Sequence, residues 1–195
     1  DTDGAVAMVK SLAGRLDDWR CLINSASIFR YDDATNLDRL TYNRSMLINA
    51  KTPARMAQAY LAHARAPAGR RVIHVTDQKL ENSNPDFFSY TMSKNALQAS
   101  LDMQAMTLDP ADRIYAIAPG AILPSHDQSA EEIEISHRLN PIRRKTDVSE
   151  IAEAALFLAQ GQLASGQTLF IDSGQHLTRQ SRDVIYLARE QQVAS

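Results

Sequence analysis

Residues Arg71–Lys94, RVIHVTDQKLENSNPDFFSYTMSK, combine a core strand with the densest group of reactive side chains in the chain. Val72, Ile73 and Val75 form a short β-branched run, which predicts a strand buried on both faces. A polar loop bearing Asn, Ser and Pro follows over residues 78–88. Tyr90 then opens a helix, and Lys94 stands four residues on, on the same helical face. Asp77 stands where the strand ends, the edge at which open α/β sheets keep their ligands. A phenol, an ammonium one turn along the helix and a carboxyl at a strand tip are the components of a proton-delivery site.

Working outward, residues 3–16 have helical spacing, and Cys21-Leu22-Ile23 reads as a second short buried strand ending at Asn24-Ser25-Ala26-Ser27. Leu47, Ala50, Ala54, Ala57 and Leu61 recur at helical intervals through a long helix over 37–64, in which Pro53 demands a kink or a new start. The helix over 89–108 is apolar on two sides, with Leu97, Leu101 and Leu108 on one and Met92, Ala96, Met103 and Met106 on the other. Such a helix is expected to be buried twice, once on the sheet and once on a partner subunit. Residues 113–118 and 167–172 are further strands, the first closed by Pro119-Gly120. The segment from there to Asn140 is polar and irregular, as suits a mobile lid. Asp147 and Glu150 form a capping box for a helix over 148–159, and residues 178–195 make a C-terminal tail with Arg179, Arg182 and Arg189 around an apolar cluster.

Strands alternating with helices predict a parallel, doubly wound sheet with helices on both faces, in a single domain over residues 1–195. The formal charge of −2 gives no reason to expect nucleic acid or an acidic membrane surface as partner. One cysteine, Cys21, makes no internal disulfide, so the expectation is a reducing, cytoplasmic setting. No window is apolar enough to span a bilayer, and the histidines do not have metal-ligand spacing.

At this point the residues resemble the short-chain dehydrogenase/reductase family. Tyr90-Thr91-Met92-Ser93-Lys94 matches its Tyr-x-x-x-Lys motif, and Asn24-Ser25-Ala26-Ser27 resembles its Asn-Asn-Ala-Gly turn. Asn49 falls where the family's long helix carries a catalytic asparagine, and Pro119-Gly120 fits the turn over the nicotinamide. The likeness runs from residue 1 to about residue 179. Most members place a serine thirteen residues before the tyrosine, where this chain has Asp77. That aspartate, with Ser27, Phe29 and the ending His176-Leu177-Thr178-Arg179, is similar to the pteridine reductase and dihydromonapterin (dihydrofolate) reductase branch.

The resemblance implies an NADPH-dependent reductase of a reduced pterin or folate, a Rossmann-like fold, and a homodimer or homotetramer. It implies Asp77, Tyr90, Lys94 and Asn49 as catalytic, and Asn24, Ala26, Tyr90, Lys94, Pro119, Gly120 and Ile122 as cofactor contacts. Ser27, Phe29, Asp77, Tyr90 and Arg179 would touch substrate, Phe29 by stacking and Arg179 by reaching a neighbouring subunit's site. The sequence also departs from the family. No Gly-x-x-x-Gly-x-Gly occurs, and the chain begins at what looks like the end of the third strand. The expected fold is therefore N-terminally truncated: a fragment of a longer chain, or a protein that does not hold a dinucleotide in the usual way. Ser25, Ser173-Gly174 and Pro124 stand where the family has Asn, Gly-Gly and a threonine.

The chemistry sorts these readings. A nearby ammonium is expected to bring the Tyr90 phenol down from about 10 towards neutrality. Reducing a ketone needs a donor to an alkoxide, whereas reducing a pterin C=N needs a ring nitrogen protonated, which a carboxyl at Asp77 can relay. Each residue also has a plainer reading. Asp77 is also a turn-starting aspartate, Phe29 a core aromatic, Asn49 a helix-bend asparagine and Arg179 a solvated tail residue. His74 reads as a core histidine, His63 and His137 as surface residues, and His126 as a substrate contact in the lid. Two other functions stay open: a carbonyl or 3-oxoacyl reductase, and a non-catalytic Rossmann-like scaffold.

Overall fold

Among the described residues, four parallel strands form one sheet in chain order: β1 (Cys21–Asn24), β2 (Arg71–Val75), β3 (Arg113–Pro119) and β4 (Thr168–Ile171). The computed structural model describes residues 1–125, 128–161 and 163–194. Leu22 pairs with Val72, Val72 with Ile114, and Ala116 with Thr168. Each parallel step needs a crossover, and helices provide it.

Alternation along the strands builds two cores. Leu22, Val72, Ile114 and Ala116 face α1 (Thr2–Ala13), α3 (Thr52–His63) and α4 (Phe88–Ala105) through Val9, Ala57, Tyr60 and Leu101. Ile73, Tyr115 and Ile117 face the other way, onto Ala154 and Leu158 of α6 (Val148–Gln160). The expected helices on both faces are present. Ile23 departs from the expected buried strand and is 47% exposed. It lies on the α6 side of the sheet, where α6 packs chiefly on β2, β3 and β4.

The helix expected over 37–64 is three pieces. After α2 (Arg39–Ser45) the chain widens into a π-helical segment, Met46–Lys51, before α3. The Thr52 N–H reaches back to the Leu47 carbonyl, and Pro53, which has no N–H to offer, sits in the first turn of α3. The expected irregular lid contains α5 (Ala130–Ser136), started by a Ser129/Glu132 capping box. The expected tail carries α7 (Val184–Ala194), which packs on α5.

The start of α4 decides where Tyr90 points. Phe87 precedes the helix in the left-handed region, φ 53°, and offers no side-chain cap. Asp32, 57 residues earlier, supplies one instead: its Oδ1 accepts the Ser89 N–H at 2.9 Å, and its Oδ2 accepts from the Ser89 hydroxyl. The aromatic side chain of Phe87 is thereby free to stack on Phe29.

Candidate active site

A cavity of about 390 Å³ opens at the carboxyl ends of β2 and β3. Asp77, Tyr90, Lys94, Ser27, Phe29, Pro119, Gly120 and Ile122, all picked out from the sequence, line it. The Tyr90 hydroxyl donates to Asp77 Oδ2 at 2.6 Å, while Asp77 Oδ1 accepts the Lys79 N–H at 2.8 Å. Lys94 Nζ donates to the Val75 carbonyl at 2.8 Å and lies 5.6 Å from the Tyr90 ring centre. One strand tip and one helical turn therefore bring carboxyl, phenol and ammonium to one wall.

Burial governs their protonation. Removal from water raises the Asp77 carboxyl above its usual range, and the Tyr90 hydrogen bond opposes that only in part. The Tyr90 phenol is raised well above 10, first by burial and then by the Asp77 carboxylate. This corrects the expected depression of Tyr90. The ammonium of Lys94 is spent on a carbonyl, while the carboxylate is in direct contact with the phenol. Lys94 itself is lowered to about 8 by burial, with Asp77 acting against the shift.

Phe29 stacks on Phe87 at 3.9 Å and meets the Tyr90 ring edge-on at 4.7 Å. The apolar wall is closed by Val184 and Ile185 from the start of α7. That segment is held by a buried charged network. Lys79 Nζ donates to the Asp86 carbonyl at 2.9 Å and to Asp183 Oδ2 at 3.1 Å, and Arg182 grips the Asp86 carboxylate at 2.8 and 2.9 Å. At Gly120 the backbone runs so close that an added Cβ would lie 2.7 Å from Gln175 Oε1, the atom that accepts the Ala121 N–H at 3.0 Å.

Other sequence candidates stand apart from the cavity. The Asn49 amide is clamped to both backbone groups of Ile28 and to Ser93 Oγ, so it offers nothing to Lys94 here. The Asn24 amide donates to His74 Nδ1 at 3.2 Å and to the Pro53 carbonyl at 3.4 Å, and neither Asn24 nor Ala26 lines the cavity. Ser25, one residue on, does. Arg179 is exposed and away from this chain's cavity. His126 lies outside the described residues. His74 is fully buried, and burial lowers it to about 4, so it is neutral at pH 7. His137, expected at the surface, is 2% exposed, lines the cavity and meets the Leu123 backbone in a hydrogen bond. Sequence reasoning also missed Lys79, Asp183 and Ile185, whose approach depends on contacts about a hundred residues apart and has no local signal.

A family model described as Enoyl-(Acyl carrier protein) reductase matches residues 1–176. Among solved structures, FolM Alternative dihydrofolate reductase 1 from Brucella suis, in complex with NADP, superposes with a TM-score of 0.85 at 32% identity, covering 94% of this chain and 74% of that one. Granaticin polyketide synthase putative ketoacyl reductase 2 of Streptomyces violaceoruber is 26% identical over 84% of this chain and 68% of its own. Dihydromonapterin reductase of Citrobacter koseri is 23% identical over 90% of this chain and 74% of its own. Across the curated relatives compared, the chain spans 43% to 74% of the other protein's length.

Proposed function

The chain belongs to the short-chain dehydrogenase/reductase family, and from that premise we propose that it serves in the NADPH-dependent reduction of a dihydropteridine or dihydrofolate. The observation that carries this reading is the 2.6 Å contact between Tyr90 Oη and Asp77 Oδ2 inside the cavity. A hydroxyl in place of Asp77 would donate a hydrogen bond to an alkoxide, but it is too weak an acid to give its proton up to a ring nitrogen. A carboxyl whose affinity for protons is raised by burial can take one up and release it. Phe29 presents an aromatic wall, with Ser27 beside it, for a flat heteroaromatic ring.

The residues present suit a nicotinamide cofactor. Lys94 and Tyr90 would bind its ribose hydroxyls, and Ser25 and the turn from Pro119 to Ile122, whose backbone approaches Gln175 and Asp172 closely at Gly120, line the same cavity. The bound cofactor would supply hydride. The protein's part is to exclude water, hold the ring against Phe29, and pass one proton from the Asp77–Tyr90 pair to the nitrogen beside the reduced carbon. Lys94 is held by the Val75 carbonyl and favours the anionic form of Asp77.

Steady-state NADPH oxidation by the full-length protein on a dihydropterin, on dihydrofolate and on a 3-oxoacyl thioester tests the reading. Turnover of a pterin or folate supports it. Turnover confined to the thioester would assign the chain to carbonyl reduction instead, the chemistry named for its polyketide relative. No NADPH binding at all would favour a scaffold.

A further inference from the structure

Asp77 caps the short helical turn Gln78–Leu80, and two hydrogen bonds divide its carboxyl. Oδ1 takes the Lys79 backbone N–H at 2.8 Å, while Oδ2 takes the Tyr90 hydroxyl at 2.6 Å. The Lys79 side chain is buried, 5% exposed, and lines the same cavity. Its Nζ donates to the Asp86 carbonyl at 2.9 Å and to Asp183 Oδ2 at 3.1 Å, and lies 5.5 Å from the centre of the Phe87 ring. One residue thus holds the catalytic carboxyl by its backbone and the segment before α7 by its ammonium.

The charges around the catalytic pair are matched one to one. Lys79 pairs with Asp183 and Arg182 with Asp86, and the exposed Glu190 lies 3.9 Å beyond Arg182. Lys94 faces the pair from α4, held by the Val75 carbonyl. His176, from the turn packed against that of Lys79, is bonded to Asp172 at 2.8 Å, and burial lowers the proton affinity of His137 across the cavity. Lys79 and Lys94 both favour the Asp77 carboxylate, whereas Asp183 disfavours the Tyr90 phenolate. A buried charge stripped of its counterion acts strongly on its neighbours. Without the Lys79 ammonium the site carries an excess negative charge; without the Asp183 carboxylate it carries an excess positive one.

We propose that Lys79 is a positioning residue for proton delivery: while its backbone N–H orients the Asp77 carboxyl, its ammonium, balanced by Asp183, sets the charge against which that carboxyl gives up its proton. Resting on the reductase reading above, in which the Asp77–Tyr90 pair supplies the proton, this ties the strength of the acid to the docking of the segment before α7.

The test measures kcat on a dihydropterin against pH, at saturating NADPH, for the full-length protein and its Lys79 and Asp183 variants. Lys79→Met and Asp183→Asn break the same ion pair from opposite sides, so loss of a structural contact alone would act on both alike. The proposal separates them. The pH at which kcat falls moves up by about one pH unit in Lys79→Met and down by about one in Asp183→Asn. Lys79→Arg, which keeps the charge, and the double variant, which removes both charges, stay close to wild type. NMR titration of the Asp77 carboxyl carbon, its signal identified by its loss in Asp77→Asn, shows the same shifts without substrate. Shifts in one direction for both single variants, or no shift in either, overturn the proposal. If Lys79→Met does not fold, Asp183→Asn decides: a fall in kcat at unchanged or higher pH overturns it. Wild-type protein that reduces no pterin overturns the underlying reading, and the carboxyl titration then decides the role of Lys79 by itself.

Discussion

Replacing Asp77 with asparagine separates the proton from the shape. The amide has nearly the same outline. Its oxygen can still accept either the Lys79 N–H, now 2.8 Å from Oδ1, or the Tyr90 hydroxyl, now 2.6 Å from Oδ2. One charge-assisted hydrogen bond becomes a neutral one or is lost, at a cost of about 1 kcal/mol. Burial already disfavours the Asp77 carboxylate, so removing the charge returns part of that cost. Folding stability is therefore expected to change by less than about 1 kcal/mol. What the amide cannot do is hold and release a proton, and a positioned acid or base is worth about 10²- to 10⁴-fold in rate. The expected result is a fall of that size in kcat on a dihydropterin at saturating NADPH, with KM and the melting midpoint little changed. The wild-type rate falls as pH rises through the raised pKa of the carboxyl–phenol pair, and Asp77→Asn loses that dependence. A kcat within about threefold of wild type would refute the assignment of the proton to this pair.

Acid stability follows from His74. Its folded pKa is about 4 against 6.5 for the free side chain, so between those values the unfolded chain takes up a proton that the native chain refuses. Stability should fall as pH drops through that window, by about 3 kcal/mol in all, and His74→Gln should remove that component in urea titrations at several pH values. Arg182→Ala strips the nearly buried Asp86 carboxylate of its guanidinium. Because Arg182 is itself 38% exposed, the expected cost is about 1–3 kcal/mol, with a raised KM as Val184 and Ile185 lose their anchor. Leu40, Leu47, Met92 and Met103 leave apolar surface on α2, the π-helical segment and α4. These helices are expected to pair across a homodimer or homotetramer, and light scattering that gives a monomer at micromolar concentration would contradict it.

The sheet was readable because its two central strands carry short apolar runs buried on both faces, at Val72–Ile73 and Ile114–Ile117. Asp77, Tyr90 and Lys94 were readable because a strand end and one helical turn fix their spacing locally. Other features depend on distant partners. The π-helical segment keeps the apolar spacing of an ordinary helix at Leu47, Ala50 and Ala54, so only the Thr52–Leu47 hydrogen bond reveals it. Tyr90 titrates opposite to expectation because sequence gives the Tyr–Lys spacing but not where the ammonium points, which is at Val75. His137 looked like a surface histidine because the Leu123 backbone it meets belongs to a turn with no strong signature in the sequence.

A crystal structure of the full-length protein with oxidised cofactor and a reduced pterin examines the central claim directly. The account predicts the ring against Phe29, with the nitrogen beside the reducible carbon within about 2.6–3.2 Å of Tyr90 Oη or the Asp77 carboxyl. A pterin bound with that nitrogen turned away from residues 77 and 90, or bound outside this cavity, would contradict it.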